Sequence, residues 1–486
     1  MLFGLLTAVL LILIFPGFGV TALAPIALIP VLYAAAREPR PLRRFLIGYL
    51  TGSIYWFGVC YWIQSTLEQH GGMGAVTSWA LFTLFCLAKA IQTGLFTWAV
   101  RYFQRGWWAA PALAALWTVF EWSHNYTGFA WLVLGNAAID WPLLAKLAPF
   151  TGVWGISFAL ALVSAAVVRR QWAWLLPVAA VALLPAPGLS PATKTALAIQ
   201  PNISDEFAWS EEPVAELRRH LAQLSTPYSG AHLAPDIVVW PEVPAPIYDS
   251  DRFLSDVARA AAAPLLAGVV SHTDWGAPLN SALLLSRDGQ FISRYDKVNL
   301  VPFGEFVPWP FNAVARKVST EAGEFAPGAR AVVARNVGTF ICYESVFPNY
   351  IRQFPLHGAT VLFNISNDSW FGRSAARHQH FAIARMRAVE NRRWLVRVTN
   401  NGITASIDPG GKVHNQQPSY KEVAALLPYG EDRGITPYTQ WGDWFILLCV
   451  FIILTAVLPR RSKYPGSPDL PDGNAGPRRA RPAAVP

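Results

Sequence analysis

The sequence predicts a polytopic α-helical membrane domain joined to an α/β domain. Hydrophobic residues make up 53% of the 486 positions and charged residues only 14%, against about 25% charged in ordinary soluble domains. Apolar runs fill the first 188 residues and return at 441–459, whereas 194–435 has the composition of a soluble domain. We therefore expect a membrane domain at 1–188, an extracytoplasmic catalytic domain at 189–440, a C-terminal membrane helix at 441–459, and a disordered basic cytoplasmic tail at 460–486.

Eight apolar segments are candidates for membrane-spanning helices, seven of them before the α/β domain and one after it. A spanning helix needs about 17–25 apolar residues, so the first, fifth and seventh candidates are short. The segments are 3–17, 20–36, 45–63, 77–100, 107–122, 150–168, 171–187 and 441–459.

Basic residues near the segment ends predict the orientation, because cytoplasmic loops carry an excess of Lys and Arg. Arginines follow the second, fourth and sixth segments and the last one, while the loop at 64–76 has none and 123–149 has one lysine. This alternation predicts both termini in the cytoplasm and the α/β domain on the opposite side. The net charge of +9 then reflects topology, and no basic stripe with interleaved aromatic residues predicts a nucleic-acid partner.

The α/β prediction for the second domain comes from β-like runs that alternate with helical ones. Ten β-like runs begin with TALAIQP and DIVVWPE and end near EVAALLP, and helical patterns cover 212–224, 252–262 and 377–391. Strands and helices of these lengths predict a sheet buried between helical layers. In such folds, reactive side chains tend to lie just past the carboxyl ends of strands.

Three ionisable residues occupy that position: Glu242 after DIVVWP, Lys297 after FISRYD, and Cys342 after TFI. Cys342 is also the one cysteine outside the apolar segments, since Cys60, Cys86 and Cys449 all lie within them. A lone cysteine is often an inert buried residue. Spacing alone leaves open whether the three residues form an active site or ordinary ion pairs.

The three side chains are chemically suited to one another. A thiol near its free pKa of about 8.5 is mostly protonated at neutral pH, so a nucleophilic cysteine needs a base or a positive neighbour. A carboxylate can take the thiol proton, and an ammonium can stabilise the thiolate or an oxyanion. The backbone N–H of Tyr343 is a candidate second donor to the oxyanion.

The surrounding motifs resemble those of the nitrilase (carbon–nitrogen hydrolase) superfamily. The stretches VVWPE at 238–242, RYDKVNLVPFGEFVP at 294–308 and ICYESVFP at 341–348 carry this resemblance. It implies an α-β-β-α sandwich with a Glu–Lys–Cys triad. The stretches NISNDSWFG at 364–372, QHFAIARMRAVENRR at 379–393 and TNNGITASIDPGG at 399–411, with the plan of eight spans, are similar to the apolipoprotein N-acyltransferase family.

This resemblance implies roles for eight residues of the domain. Cys342 would be the nucleophile, Glu242 the general base and Lys297 the group that stabilises the transition state. Three further residues would support the active site, and two tryptophans would handle substrate. The supporting residues are Glu305, Tyr343 and Glu344, and the tryptophans are Trp209 and Trp370. Packing is the alternative role for both tryptophans, and a loop carboxylate for Glu305.

The resemblance also implies the reaction and the partners. An acyl chain would pass from a membrane phospholipid through a thioester on Cys342 to the α-amine of a diacylglyceryl-cysteine at an apolipoprotein N-terminus. The enzyme would be an integral protein of the bacterial inner membrane, with its catalytic domain in the periplasm, and we expect a monomer. No metal-ligand cluster, P-loop or dinucleotide motif predicts a metal or another cofactor.

Two rival functions share parts of this pattern. A membrane-tethered amidase or nitrilase would use the same triad with water as the acyl acceptor, and a catalytically dead scaffold would only bind lipid. Outside the triad, His124 stands where the family commonly has arginine. Lys89 lies inside the fourth apolar segment, and an intramembrane charge is a candidate for function, although we expect it to be buried against neighbouring helices or a water-filled cavity.

Overall fold

The computed structural model describes residues 1–103, 106–127, 129–185, 188–204, 211–228, 234–244, 246–306 and 325–457. Trp209 lies outside the described residues. The described residues up to 185 form α-helices and short 3-10 helices joined by loops. The α-helices are Leu2–Leu13, Ile29–Arg37, Pro41–Cys60, Trp62–Gln69, Ala75–Ala99, Ala109–Ser123, Pro142–Ala145, Ala148–Thr151, Val153–Arg169 and Leu175–Ala180, and the 3-10 helices are Thr21–Ile26, Val100–Phe103, Leu134–Ala138, Trp172–Trp174 and Val181–Leu183.

Helical structure occupies all eight apolar segments, but most of the helices are shorter than a full span. Among the described residues, one helix, Ala75–Phe103, is long and apolar enough to cross a membrane. The pair Pro41–Cys60 and Trp62–Gln69, bent by 56°, adds a second if it counts as one span. Eight full-length spans are therefore more than helix length supports. Leu2–Leu13, for example, rises about 18 Å against a hydrocarbon core of about 30 Å.

The two longest helices of this domain pack closely because glycine faces the contact. A Cβ atom at Gly48 would lie 2.1 Å from the hydroxyl oxygen of Thr97, and one at Gly52 would lie 2.9 Å from Cα of Ala90. Small residues let helix backbones approach in this way. The Thr97 hydroxyl also donates a hydrogen bond of 2.9 Å to the carbonyl of Arg44.

The second part of the chain forms two six-stranded sheets, which confirms the predicted α/β domain. The first sheet has the order β12-β1-β2-β3-β4-β5 and the second the order β11-β10-β9-β8-β7-β6. Strands β1, β2 and β3 run parallel, as do β7, β8 and β9. The strands are β1 Lys194–Gln200, β2 Ile237–Val239, β3 Leu265–His272, β4 Pro278–Leu285, β5 Phe291–Asp296, β6 Val333–Ala334, β7 Val337–Ile341, β8 Val361–Ser366, β9 Leu395–Thr399, β10 Ala405–Ile407, β11 Val413–His414 and β12 Val423–Tyr429.

Alternate residues of the first sheet face different layers, as the period of two along a strand requires. Val238 and Leu265 pack with the helices Glu211–Ser225 and Arg252–Ala261 in one hydrophobic cluster. Val239 belongs instead to the cluster that contains the second sheet, the helix Ala376–Asn391 and the membrane domain. The remaining helices are Pro348–Ile351, Gln353–Leu356, Pro437–Trp441 and Trp444–Val457, with 3-10 helices at Cys342–Val346 and Asp368–Phe371.

Candidate active site

Cys342 lies at the carboxyl end of β7, where the strand passes into a 3-10 turn. The predicted β-like run continued to Glu344, but the strand ends at Ile341. Cys342 has a φ of +49°, a left-handed conformation that is uncommon for a non-glycine residue and occurs often at active sites. Its side chain is buried, with 7% exposed. The turn thus aims a strained, nearly inaccessible thiol into the space between the two sheets.

Glu242, Lys297 and Glu305 meet in direct contact at the carboxyl end of the first sheet. The Lys297 ammonium lies 3.1 Å from Oε1 of Glu242 and 2.9 Å from Oε1 of Glu305. Only 1% of the Lys297 side chain is exposed, so both ion pairs are formed away from water. The structure therefore brings together three residues that are separated by up to 63 positions in the sequence.

Asn280 completes this cluster, and the sequence interpretation missed it. Its Nδ2 donates hydrogen bonds of 2.7 Å to Glu242 and 2.8 Å to Glu305. Its backbone carbonyl accepts from the N–H of Lys297 at 2.8 Å. The one available signal was a polar residue at the start of an otherwise apolar run, NSALLLS. Asn280 holds the two carboxylates at a fixed separation around the ammonium.

Glu242 also connects the two sheets. Its Oε2 accepts a hydrogen bond of 2.8 Å from the backbone N–H of Asn367, which follows β8 in the second sheet. The Glu242 carboxylate is thereby held from both sides, by Lys297 and Asn280 through one oxygen and by Asn367 through the other. These contacts fix the Glu242 carboxylate beside the end of β8 in the second sheet.

The charges of the cluster set the protonation states of the site. Burial raises the pKa of the Cys342 thiol, Glu242 raises it further, and Lys297 lowers it, with a net shift above the ordinary value. Burial lowers the pKa of Lys297, but Glu242 and Glu305 outweigh that effect and raise it well above its ordinary value. At neutral pH the resting site therefore holds a thiol and an ammonium, and the thiol must lose its proton as it reacts.

Glu344 lies two residues after Cys342 and ties this turn to β5 and to the segment just after Lys297. The carboxylate is fully buried and accepts hydrogen bonds from the backbone N–H groups of Ile341, Val298 and Asn299 at 2.8, 2.8 and 3.1 Å. The Tyr295 hydroxyl donates to it at 2.6 Å. Burial raises the pKa of Glu344, although these hydrogen bonds oppose the shift. Its position is that of a structural anchor for the turn.

Tyr343, the residue after Cys342, contacts the N-terminal helical part of the chain. Its hydroxyl lies 3.2 Å from both the backbone N–H and the carbonyl of Ala130, and its ring stacks on Phe129 with centroids 5.9 Å apart. Lys89 holds the same segment, because its ammonium donates to the Phe129 carbonyl at 2.9 Å and lies 2.7 Å from Nδ1 of His124. Lys89 is thus buried between Trp56 of the helix Pro41–Cys60 and the segment that follows the helix Ala109–Ser123.

A second buried ion cluster, which the sequence interpretation also missed, supports the backbone of Cys342. Nε2 of His380 lies 3.0 Å from the Cys342 carbonyl, and Nδ1 lies 3.0 Å from Arg397 and 3.2 Å from Asp368. Burial and then Arg397 lower the pKa of His380, so the ring is neutral and donates from Nε2. Burial raises the pKa of Asp368, but Arg397 and His380 together outweigh that effect and hold the pKa below its ordinary value. Asp368 and His380 lie in motifs noted above and Arg397 lies in β9, but no sequence pattern assigned any of the three a role.

Trp370 lies at the membrane side of the site rather than in the charged cluster. Its indole is 36% exposed and stacks on His70 with centroids 4.6 Å apart. Its carbonyl accepts a hydrogen bond of 2.9 Å from the Thr66 hydroxyl. Among the described residues, no group of three or more His, Cys, Asp or Glu side chains could hold a metal ion.

Known proteins resemble this chain over most of its length. Residues 7–166 match the family described as apolipoprotein N-acyltransferase N-terminal domain, and 195–425 match carbon-nitrogen hydrolase. An apolipoprotein N-acyltransferase of Geobacter metallireducens is 33% identical, covering 92% of this chain and 93% of its own. One of Pseudomonas putida is 32% identical, covering 89% and 92%. A carbon-nitrogen hydrolase structure from Helicobacter pylori aligns with 56% of this chain and 96% of its own, at 17% identity and a TM-score of 0.37.

Proposed function

The chain belongs to the apolipoprotein N-acyltransferase family, and we propose that it transfers a fatty acyl chain from a membrane phospholipid to the α-amine of an apolipoprotein's N-terminal S-diacylglyceryl-cysteine. The observation that carries this proposal is the buried cluster of Glu242, Lys297 and Glu305 beside the strained thiol of Cys342. That cluster contains the base, the cation and the nucleophile that acyl transfer requires.

In the first half-reaction, the Cys342 sulfur attacks the carbonyl carbon of a phospholipid ester while Glu242 takes the thiol proton. The resulting oxyanion lies near the Lys297 ammonium and the Tyr343 N–H. When the tetrahedral intermediate collapses, the bond to the glycerol oxygen breaks, and that oxygen takes the proton from Glu242. A lysophospholipid leaves, and the acyl chain remains on Cys342 as a thioester.

In the second half-reaction, the α-amine of the acceptor attacks the thioester carbonyl, and Glu242 accepts a proton from the attacking nitrogen. The carbon–sulfur bond then breaks, the amide forms, and the sulfur recovers a proton from Glu242. Both substrates are held in one bilayer next to one site, which is a proximity effect as well as acid–base catalysis. Burial of Cys342 would protect the thioester, because water at the site would hydrolyse it.

The raised pKa of the thiol explains why the proposed mechanism needs Glu242. A cysteine with an elevated pKa holds almost no thiolate at neutral pH, so attack depends on proton removal by a neighbouring base. Glu242 is oriented for this role by Asn280, Lys297 and Asn367. Lys297, which stays charged, would stabilise the negative charge that develops on the substrate oxygen.

The proposed topology has both termini in the cytoplasm and the domain 189–440 in the periplasm of the inner membrane, with the enzyme acting as a monomer. The positions of the contacts between the two domains support it. Gln379 donates to the carbonyls of Pro16 and Val59, and Tyr343 bonds to Ala130. Pro16 and Val59 lie near segment ends and Ala130 lies in the loop 123–149, all of which the charge pattern predicts to be outside.

The proposal is tested by mass spectrometry of the full-length protein after incubation with phospholipid in detergent micelles. We expect an acyl adduct on the peptide that contains Cys342, no adduct in Cys342→Ala, and an unchanged adduct in Cys449→Ala, a buried cysteine of the last helix. Failure of the native protein to form the adduct under turnover conditions would contradict the mechanism. An adduct that yields only free fatty acid when a lipopeptide amine is supplied would favour a hydrolase.

A further inference from the structure

Two arginines at the start of the helix Ala376–Asn391 stack on a single tyrosine. The guanidinium carbons of Arg373 and Arg377 lie 5.1 and 4.6 Å from the ring centroid of Tyr420. The Tyr420 hydroxyl in turn donates to the carbonyl of Gly372, which fixes the ring against the segment that carries Trp370. The two cations are therefore held side by side at a defined place. We call Arg373 and Arg377 the arginine pair.

The arginine pair carries positive charge that no acidic side chain of the described residues balances. Among the residues that the structure describes, neither arginine forms an ion pair, whereas Arg385 and Arg387 of the same helix pair with Asp140 and Glu390 at 2.6 and 3.0 Å. Nε and Nη1 of Arg377 have no hydrogen-bond partner among those described residues.

The helix itself adds to this positive potential. Arg377 is the second residue of a 16-residue helix, where the macrodipole makes a cation unfavourable and an anion favourable. Two guanidinium groups, with no acidic partner in the described part of the chain, and the positive end of a helix therefore act together at one place. A negatively charged group bound there would interact favourably with all three.

Contacts with the membrane domain fix the depth of the arginine pair. Gln379, two residues after Arg377, donates to the carbonyls of Val59 at 3.2 Å and Pro16 at 3.4 Å. Those two residues lie at the predicted outer ends of the first and third membrane segments. Phe18, just beyond the first segment, has 65% of its surface exposed. The arginine pair thus lies at the level where the apolar surface ends and lipid phosphates begin.

The arginine pair is also close to the nucleophile. Arg377 precedes His380 by three residues, which is a rise of about 4.5 Å along the helix, and Nε2 of His380 hydrogen-bonds the Cys342 carbonyl at 3.0 Å. In a phospholipid, only the glycerol carbons separate the phosphate from the acyl esters. The short distance between phosphate and acyl ester in a phospholipid therefore allows a phosphate bound at Arg377 to place an ester carbonyl near Cys342.

We infer that Arg373 and Arg377 bind the phosphate of the phospholipid that donates the acyl chain. This inference rests on the proposed function and names the part of the donor that the site recognises. Phosphate binding would affect only one of the two half-reactions, because the donor carries a phosphate and the diacylglyceryl-cysteine acceptor does not. Loss of the arginine pair should therefore slow acylation of the enzyme and leave deacylation by the acceptor unchanged.

The test compares the double variant Arg373→Gln/Arg377→Gln with the native protein in single-turnover experiments. With subsaturating dioleoyl phosphatidylglycerol in mixed micelles, we expect acylation of Cys342 to slow about tenfold for each arginine, because a hydrogen bond to a charged group is worth about a factor of ten or more. Transfer from preformed thioester to a lipopeptide amine should stay within about twofold of the native rate. The control is Arg287→Gln, an exposed arginine in the β4–β5 turn at the far end of the sheet.

A donor without phosphate distinguishes binding from folding. With p-nitrophenyl palmitate, the double variant should acylate Cys342 at the native rate. Equal slowing with this neutral ester, or equal slowing of both half-reactions, would overturn the inference, since the arginines would then only support the fold. Unchanged acylation by phosphatidylglycerol, with weaker binding to vesicles of that lipid, would also overturn it, by assigning the arginines to the bulk membrane surface. A native protein that never forms a thioester would instead refute the proposed function.

Discussion

Replacing Glu242 by glutamine should move two properties of Cys342 in opposite directions. An amide cannot take the thiol proton, so acylation by phospholipid should fall about 10²–10⁴-fold, the usual contribution of a general base. The same change removes a negative charge that raises the pKa of the thiol. A nearby charge shifts a pKa by about 1–3, so the thiolate fraction below the pKa should rise by about tenfold or more.

The contacts of Glu242 indicate that the variant will fold. One carboxylate oxygen accepts from Asn280 and Lys297, and the other accepts from the N–H of Asn367 at 2.8 Å. The oxygen of a glutamine can keep the first two partners, while its NH₂ group would face the Asn367 N–H. One buried hydrogen bond is lost, at a cost of about 1–3 kcal/mol, which is small for a domain built on two sheets.

The assay is the rate of Cys342 modification by methyl methanethiosulfonate as a function of pH, read by mass spectrometry of the Cys342 peptide. Glu242→Gln should be modified faster than the native protein below the thiol pKa and yet acylate far more slowly. Glu305→Gln is the comparison, because the charges that act on the thiol are those of Glu242, Lys297 and Asp368, so its profile should stay near native. If Glu242→Gln slowed both reactions together, Glu242 would hold the site in place and would not act as a base.

Three further variants test the neighbouring residues. Lys297→Met removes the cation that lowers the thiol pKa, so the modification profile should move to higher pH while acylation falls about 10²–10³-fold; a shift to lower pH would contradict the assigned charge. Glu344→Gln should destabilise the protein by about 2 kcal/mol in chemical denaturation, since one buried N–H loses its acceptor, and an unchanged midpoint would remove its anchoring role. His380→Leu removes the hydrogen bond to the Cys342 carbonyl, so acylation should slow about tenfold. His380→Gln keeps an N–H donor and should restore the rate, and the exposed His378→Gln should leave it unchanged. Failure of His380→Gln to restore the rate would argue against a role for that hydrogen bond.

The strands of the α/β domain were predictable because their signal is local. Runs such as TALAIQP and ATVLFNIS coincide with β1 and β8 to within two residues, since burial on both faces requires short continuous apolar segments. The same pattern placed Glu242, Lys297 and Cys342 at strand ends, and the structure brings the first two into contact. Their catalytic roles stay predictions. The two-residue strands β6 and β11 are too short to leave a periodic signal.

Other features depend on contacts between distant parts of the chain, which no local pattern reveals. Asn280 and His380 contact Glu242 and Cys342 across 38 positions in each case, and their importance follows from how the sheets face each other. Hydropathy overestimated the number of full-length spans because it measures the apolar content of a segment and does not show where a helix breaks. At 20–36, for example, a 3-10 helix containing Pro25 precedes the short helix Ile29–Arg37.

The central claim is that Cys342 carries the acyl chain between two lipid substrates, and a chase experiment tests it most directly. The native protein is first loaded from a phospholipid with a radiolabelled acyl chain, then freed of donor and mixed with a diacylglyceryl lipopeptide. We expect the label to leave Cys342 and to appear as an amide on the lipopeptide, at a rate no slower than steady-state turnover. Label that stays on Cys342, or that leaves only as free fatty acid, would contradict it.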